Sequence, residues 1–226
     1  MGGFRFEIIF ESWRLLLQGT GIAVGVAVVS MIVAVVLGLV VVIFRLAKFW
    51  WLRWPAYAYI QFFRGTALYV FILWLFFGLT IVTGLQLGPF VAAISALAIL
   101  YSAYMAEVYR SGLKAVAKGQ YEAGRAIGLS TFQIYRDVII PQAIPVIIPS
   151  AMNLFIDLLK DSSLVGVIGV ADLMRVTQRL SNFHFRPFEF YTTAAVIYAI
   201  IVLFLSRVVA VRLERRFRRH QQRAVY

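Results

Sequence analysis

Residues Gly119 to Gln142 read GQYEAGRAIGLSTFQIYRDVIIPQ. The stretch is polar, and both of its neighbours are apolar. It carries two helix signals with a glycine between them. Glu122 is expected in the first turn of a helix, where its charge complements the amide end of the dipole. Ala123, Ala126 and Ile127 then share a small apolar face, and Gly128 is placed to be the left-handed residue that ends the helix, with Leu129 folding back. Ser130 opens a second helix, with Gln133 three residues on to complete a capping box, and Pro141 is expected to end it. The pattern is helix, glycine turn, helix. Its face of alanines is too small to anchor in lipid and suits a docking surface for another protein.

The composition around this stretch is that of an integral membrane protein. Of 226 residues, 62% are hydrophobic and 14% charged, with a mean hydropathy of +0.85, well above the roughly half-apolar average of soluble domains. The apolar runs are about 20 residues long and do not alternate, so helices and not barrel strands cross the membrane. The formal charge of +12 would fit a nucleic-acid binder, but the positive residues sit between apolar runs and in a tail, 212–226, that is rich in arginine. That is the positive-inside signature, and no nucleic-acid role is expected. The absence of cysteine excludes disulfides, cysteine metal sites and thiol chemistry. Residues 1–18 form an expected extracytoplasmic, amphipathic lead-in.

Five spans are expected, at about 19–44, 55–79, 89–106, 141–160 and 190–211, with the polar loop at about 110–140 inside. Gly21 and Gly25 in the first span are four apart, a spacing that lets a neighbouring helix approach. Arg45, Lys48 and Arg53 with Trp50, Trp51 and Trp54 mark a cytoplasmic loop at an aromatic belt. The second span has to begin near Pro55, which carries Arg64 some turns into it. Ala92, Ala93, Ser95, Ala96 and Ala98 suit close packing of the third. Pro141, Pro145 and Pro149 share one face of the fourth and forbid one smooth helix. The depth of Asp157, Lys160 and Asp161 depends on where that span starts: from Pro149 they lie near mid-depth, from Val138 at the outer interface. His184 reads as a surface histidine in a mixed loop. A basic C-terminus inside and five crossings put the N-terminus outside.

The quoted stretch resembles the EAA motif of the permease subunits of binding-protein-dependent ABC importers, specifically the polar amino acid family. The pattern falls on Glu122, Ala123, Gly124, Gly128, Val138, Ile140 and Pro141. Gly124 stands where the second alanine is usual, a change that loosens the first helix by about 1 kcal/mol. Arg64-Gly65-Thr66 resembles that family's R-G-T-P, with Ala67 in place of proline. Lys118-Gly119-Gln120 resembles its P-K-G-Q, with Ala117 in place of proline. Leu159 to Leu164 and Val167 to Val170 resemble its L-K-D-T-S-L and V-I-G-V runs.

The resemblance implies an all-α, type I importer transmembrane domain in the bacterial inner membrane. It implies a second permease subunit, identical or related, two cytoplasmic ATPases and an extracytoplasmic solute-binding protein. The ATPases would dock on Gly119, Gln120, Glu122, Ala123, Gly124, Ala126, Ile127 and Gly128. The sequence has no G-x-x-x-x-G-K-[ST] loop, so ATP and Mg would be bound by the partner and this chain is not an enzyme. Arg64, Gly65, Thr66, Asp157, Lys160, Asp161, Ser162 and Ser163 would line or gate the path. A zwitterionic amino acid offers a carboxylate to Arg64 and an ammonium to an aspartate; alternatively these residues pair with one another and shape a gate. Two rival functions remain open on sequence: a self-contained secondary transporter, for which only Asp157 and Asp161 are candidate ion sites, and a membrane-embedded assembly subunit.

Overall fold

Residues 6–210 are described by the computed structural model, and every regular element among them is helical. The basic tail expected at 212–226 and the first five residues of the lead-in lie outside the described residues. Helix α1 (Glu7–Leu46) has 40 residues and is therefore about 60 Å long, twice the hydrocarbon thickness. The lead-in and the first span are not separate elements, because the helix runs unbroken from Glu7. Its early turns have a packing surface of their own: Leu16 is buried with Leu173, Leu180 and Phe190 near the other end of the chain.

The stretch expected as one span over 55–79 is two helical pieces. Helix α2 (Trp50–Gly65) ends at Thr66, and α3 (Leu68–Leu73), a π-helical turn (Trp74–Gly78) and α4 (Leu79–Thr83) follow. The two pieces meet at 106°. Thr66 and Ala67 are both extended, at ψ 135° and 117°, and the Thr66 hydroxyl donates to the Phe62 carbonyl at 2.7 Å. The backbone thus breaks without the proline that Ala67 replaces, and Arg64 lies in the last turn of α2 rather than inside a longer helix.

Helix α5 (Pro89–Ala115) opens with proline in its first turn, where the missing amide costs nothing. Ala92, Ala93, Ala96, Ala98, Ala103 and Ala106 are all buried, as the alanine and serine pattern predicts. The main partner is α1, which runs parallel to α5. A Cβ on Gly38 would lie 2.7 Å from Met105 Cβ and 2.9 Å from the Ser102 carbonyl oxygen, so only glycine permits this approach. Ala23, Ala27, Ser30 and Ala34 continue the buried stripe. Gly21 and Gly25 have no atom within 4 Å of their added Cβ positions. The small residues that pack within this chain are therefore two positions along from the expected pair.

Helix α6 (Lys118–Ala126) and a glycine turn lead to α7 (Thr131–Gln133), a π-helical turn (Ile134–Ile139), α8 (Ile140–Asp161) and a 3-10 helix (Ser162–Ile168). From Thr131 to Ile168 these form one continuous run of 38 residues. Pro141 does not end the helix as expected. The π-helical turn just before it is the reason: the Ile140 amide donates to the Tyr135 carbonyl, five residues back, and the wider turn gives room for a ring. Pro145 and Pro149 sit inside α8. A side chain on Gly112 of α5 would collide with Ile147, so α8 also packs at glycine distance.

The expected loop over 172–189 contains a further helix, α9 (Leu173–His184), before α10 (Pro187–Phe204) and a final π-helical turn (Leu205–Ala210). Asp172 caps α9, accepting from the amides of Met174 and Arg175 at 3.1 Å each. It is fully buried, and burial pushes its carboxyl up to about 6, against the opposing pull of those amides. His184 is half-buried and stacks on the Phe190 ring at 5.5 Å. Among the described residues four helices are long and apolar enough to cross a membrane, and five segments are if the bent pair counts as one span.

Candidate functional site

The polar hairpin forms by local chemistry. Gly128 has φ 81°; its amide donates to the Arg125 carbonyl at 3.1 Å, and the Leu129 amide reaches back to the Gly124 carbonyl at 3.0 Å. These two bonds are the paired closure of a Schellman cap. Ser130 and Gln133 then make the predicted capping box, with Ser130 N to Gln133 Oε1 at 2.9 Å and Gln133 N to Ser130 Oγ at 3.3 Å. The first helix starts earlier than expected. Lys118 opens it, so Glu122 lies in the second turn, beyond the best reach of the dipole.

One face of the hairpin is bare. Ala123 and Ala126 are exposed, Ile127 is 77% exposed and Phe132 71%. Gly119, Gln120 and Glu122 are also exposed, and Gln120 accepts from Gln142 Nε2 at 3.3 Å. Gly124 points the other way and is buried against Ile134, whose Cγ1 would lie 2.9 Å from an added Cβ. The glycine thus sets how closely α6 approaches the π-helical turn. Gly124 and Ile134 form the inner side of the hairpin; Ala123, Ala126, Ile127 and Phe132 form the outer one.

A cleft of about 330 Å³ lies between the helices farther along α8. Asp157, Asp161 and Leu154 of α8 line it, with Leu100, Tyr101 and Tyr104 of α5 and with Thr66 and Leu68 at the α2 to α3 break. Tyr101 donates its hydroxyl to Asp161 Oδ2 at 2.8 Å, and Lys160 Nζ is 2.7 Å from Asp157 Oδ1. The Arg64 guanidinium carbon stands 5.7 Å from the Tyr104 ring centroid, and the Tyr104 hydroxyl donates to the Arg64 carbonyl at 3.3 Å. Arg64 therefore borders the cleft through Tyr104. The Ser162 hydroxyl is buried and donates to the Leu159 carbonyl at 2.8 Å, which takes it out of the lining. Ser163 is half-buried, and Gly65 is exposed at the end of α2.

Tyr101 also gives the place of the acidic pair along α5. It lies 12 residues along α5 from Pro89, about 18 Å from the start of that helix. Carboxylates among membrane-spanning helices are expensive in hydrocarbon and are found facing cavities, which agrees with their position on the cleft. Sequence reasoning missed Tyr101 and Tyr104. Two hydroxyl-bearing rings three apart, in a run otherwise made of alanine, serine and aliphatic residues, were the available signal.

Residues 34–219 match the family described as the inner membrane component of binding-protein-dependent transport systems. The chain belongs to this family. It is 34% identical over 195 residues to the probable amino-acid ABC transporter permease protein YckA of Bacillus subtilis, covering 86% of each chain. To the glutamine transport system permease protein GlnP of Escherichia coli it is 35% identical, covering 95% of this chain and 98% of that one. A crystal structure of an amino acid ABC transporter with histidines contains a chain 35% identical, with a TM-score of 0.91, covering 95% of this chain and 100% of the other. The permease is thus a membrane-embedded component of an ABC importer and not itself the catalytic subunit. Its all-α fold and its resemblance at the EAA stretch agree with this membership, and the substitution in that stretch now has a position: Gly124 faces Ile134.

Proposed function

We propose that this permease imports a polar amino acid or a related small zwitterion, with its N-terminus outside and C-terminus in the cytoplasm. The observation that carries the reading is the pairing of two sites on one helical run. A bare-faced hairpin begins it, and Asp157 and Asp161 face a cleft near its other end. Relatives described as amino-acid and glutamine permeases support the solute class. The cleft chemistry agrees: Asp161 and Asp157 offer anionic acceptors to an ammonium, Arg64 offers a donor to a carboxylate, and two tyrosines flank them.

In this reading two permease subunits form the path, an extracytoplasmic binding protein delivers the solute, and two ATPases bind ATP and Mg. The ATPases dock on the outer face formed by Ala123, Ala126, Ile127 and Phe132, with Glu122 beside it. Closure of the ATPase pair favours one arrangement of the helices over the other and so alternates access to the cleft. The test is uptake of labelled amino acids into vesicles containing the permease, its ATPase and binding protein. Uptake that needs ATP and is lost with Glu122→Lys supports the proposal. Ion-driven uptake by the permease alone would identify a secondary transporter, and no uptake with any partner would leave an assembly role.

A further inference from the structure

Helix α2 presents three different faces. Ala56 and Ile60 are buried, Ile60 against Val42 of α1 and Ala106 of α5. At 100° per residue, a second face gathers Trp51, Trp54 and Phe62, which are 56%, 66% and 64% exposed. The third gathers Arg53, Tyr57, Gln61 and Arg64, all exposed, with Trp50 on the same face at the start of the helix. Arg45, from the end of α1, joins this polar face with its guanidinium carbon 4.7 Å from the Tyr57 ring centroid. An apolar aromatic face beside a basic one, along the whole helix, is the pattern of a helix lying in a membrane interface.

The packing agrees with a helix that lies down. Ile60 clusters with Val42 and Ala106. Val42 is four residues from the end of α1, about 6 Å, whereas Ile60 is ten residues from Trp50, about 15 Å along α2. Ten residues into α2, the helix has therefore reached only the last turns of α1. The 106° angle to the Leu68–Thr83 piece means that the two pieces cannot both stand upright. The charge around it is one-sided. No acidic residue occurs between Glu11 and Glu107, and Glu107 is engaged by Arg110, whose Nε lies 2.9 Å from Oε2. Ile43 and Phe44, in the last turn of α1, are exposed as well.

We propose that α2 lies along the cytoplasmic membrane interface, with Trp51, Trp54 and Phe62 in the acyl boundary and Arg45 and Arg53 binding anionic phospholipid headgroups. The second crossing then falls to the 16 residues of Leu68–Thr83, about 24 Å of helix against about 30 Å of hydrocarbon, a shortfall that local thinning of the bilayer accommodates. The proposal depends on the orientation given above but on no transport activity, so its failure and that of the transport reading are separate results.

The chain has no cysteine, so single cysteines for spin labels can be introduced directly at positions 51, 53, 54, 57, 58, 61 and 62 of the full permease in phosphatidylglycerol and phosphatidylcholine bilayers. Collision with oxygen should dominate at 51, 54, 58 and 62, and collision with a water-soluble nickel chelate at 53, 57 and 61, with no steady trend in depth. A ramp of increasing depth from 51 to 62 would show an upright helix and overturn the proposal. Low accessibility to both reagents at 51, 54, 58 and 62 would show a second protein chain on that face and overturn it too. In a second arm, native mass spectrometry compares retained phosphatidylglycerol with phosphatidylcholine. A preference for the anionic lipid is expected, falling roughly fivefold for each of Arg45→Gln and Arg53→Gln. Equal retention in the unmodified permease, or a preference unchanged in the double variant, would refute lipid binding by these arginines.

Discussion

The hairpin and the cleft are built at opposite ranges of sequence. The bond that closes the hairpin joins Leu129 to Gly124, five residues away. The bond that shapes the cleft joins Tyr101 to Asp161, 60 residues apart. A structure closed by neighbours keeps its form wherever it is carried, which suits a surface that must dock on a moving partner. A site walled by α5, α8 and the α2 to α3 break changes shape whenever one of these shifts against another, which suits a gate. The contrast makes an experimental claim. Changes in the hairpin should alter assembly with the ATPase and leave solute selectivity alone, and changes in the cleft should do the reverse.

The largest expected effect is in the cleft. Asp161→Ala should lower solute uptake by about a hundredfold, the scale of one lost electrostatic contact in a water-poor site, while the purified complex with the ATPase remains intact. Loss of the complex instead would break the contrast. Next, Gly128→Val forces a branched residue into a left-handed conformation at a cost of about 1–2 kcal/mol. Titration of the permease with ATPase should show an affinity about tenfold weaker, with the order of preferred solutes unchanged. Tyr101→Phe leaves Asp161 without its donor but keeps the ring, so a several-fold rise in the solute concentration needed for half-maximal uptake is expected. An unchanged value would mean that the hydroxyl only holds a resting geometry.

Asp172 mixes the two ranges, since its cap is local and its burial is not. Its folded pKa of about 6 lies above the unfolded value of 3.8, so the folded permease binds more protons between these values and loses stability as pH rises through them. Thermal unfolding in detergent should show a loss of about 1 kcal/mol from pH 5 to pH 7. Asp172→Asn keeps an equivalent cap and should flatten that slope. The smallest effect is expected for Gly124→Ala. A gain of roughly 1 kcal/mol in helix propensity opposes the contact with Ile134, and the net should stay within about 0.5 kcal/mol. In a double-mutant cycle, Ile134→Ala removes the crowding Cγ1 and should make Gly124→Ala stabilising; if it does not, Gly124 is not there for packing.

The same contrast accounts for what could be read in the sequence. The glycine turn, the capping box and the alanine face of α5 follow from residues within a few positions of one another, and all three are present. Pro141 misled because its effect depends on the turn before it, and a π-helical turn has no simple residue signature. Glu122 misled less: the helix simply begins four residues sooner, at Lys118. Asp157 and Asp161 stand out in sequence as charges among apolar residues, but Tyr101 acquires its role only when α5 and α8 meet. The break at Thr66 and Ala67 is encoded in backbone conformation rather than in a proline, so the bend of α2 was hidden. Gly21 and Gly25 show the limit of spacing rules, since a four-residue interval does not say which face of α1 will find a neighbour.

The unbroken run from Thr131 to Ile168 has a mechanical consequence. Asp157 is 27 residues from Ser130, about 40 Å of helix. Rotation of such a rod by only about 5° about its hairpin end displaces the acidic pair by roughly 3–4 Å, comparable to the width of a methyl group. Little travel at the docking end therefore suffices to open or close a passage at the other. The π-helical turn near the pivot and Pro145 and Pro149 beyond it interrupt the regular bond ladder of that rod, and their stiffness would set how much of a movement at the hairpin reaches the acidic pair.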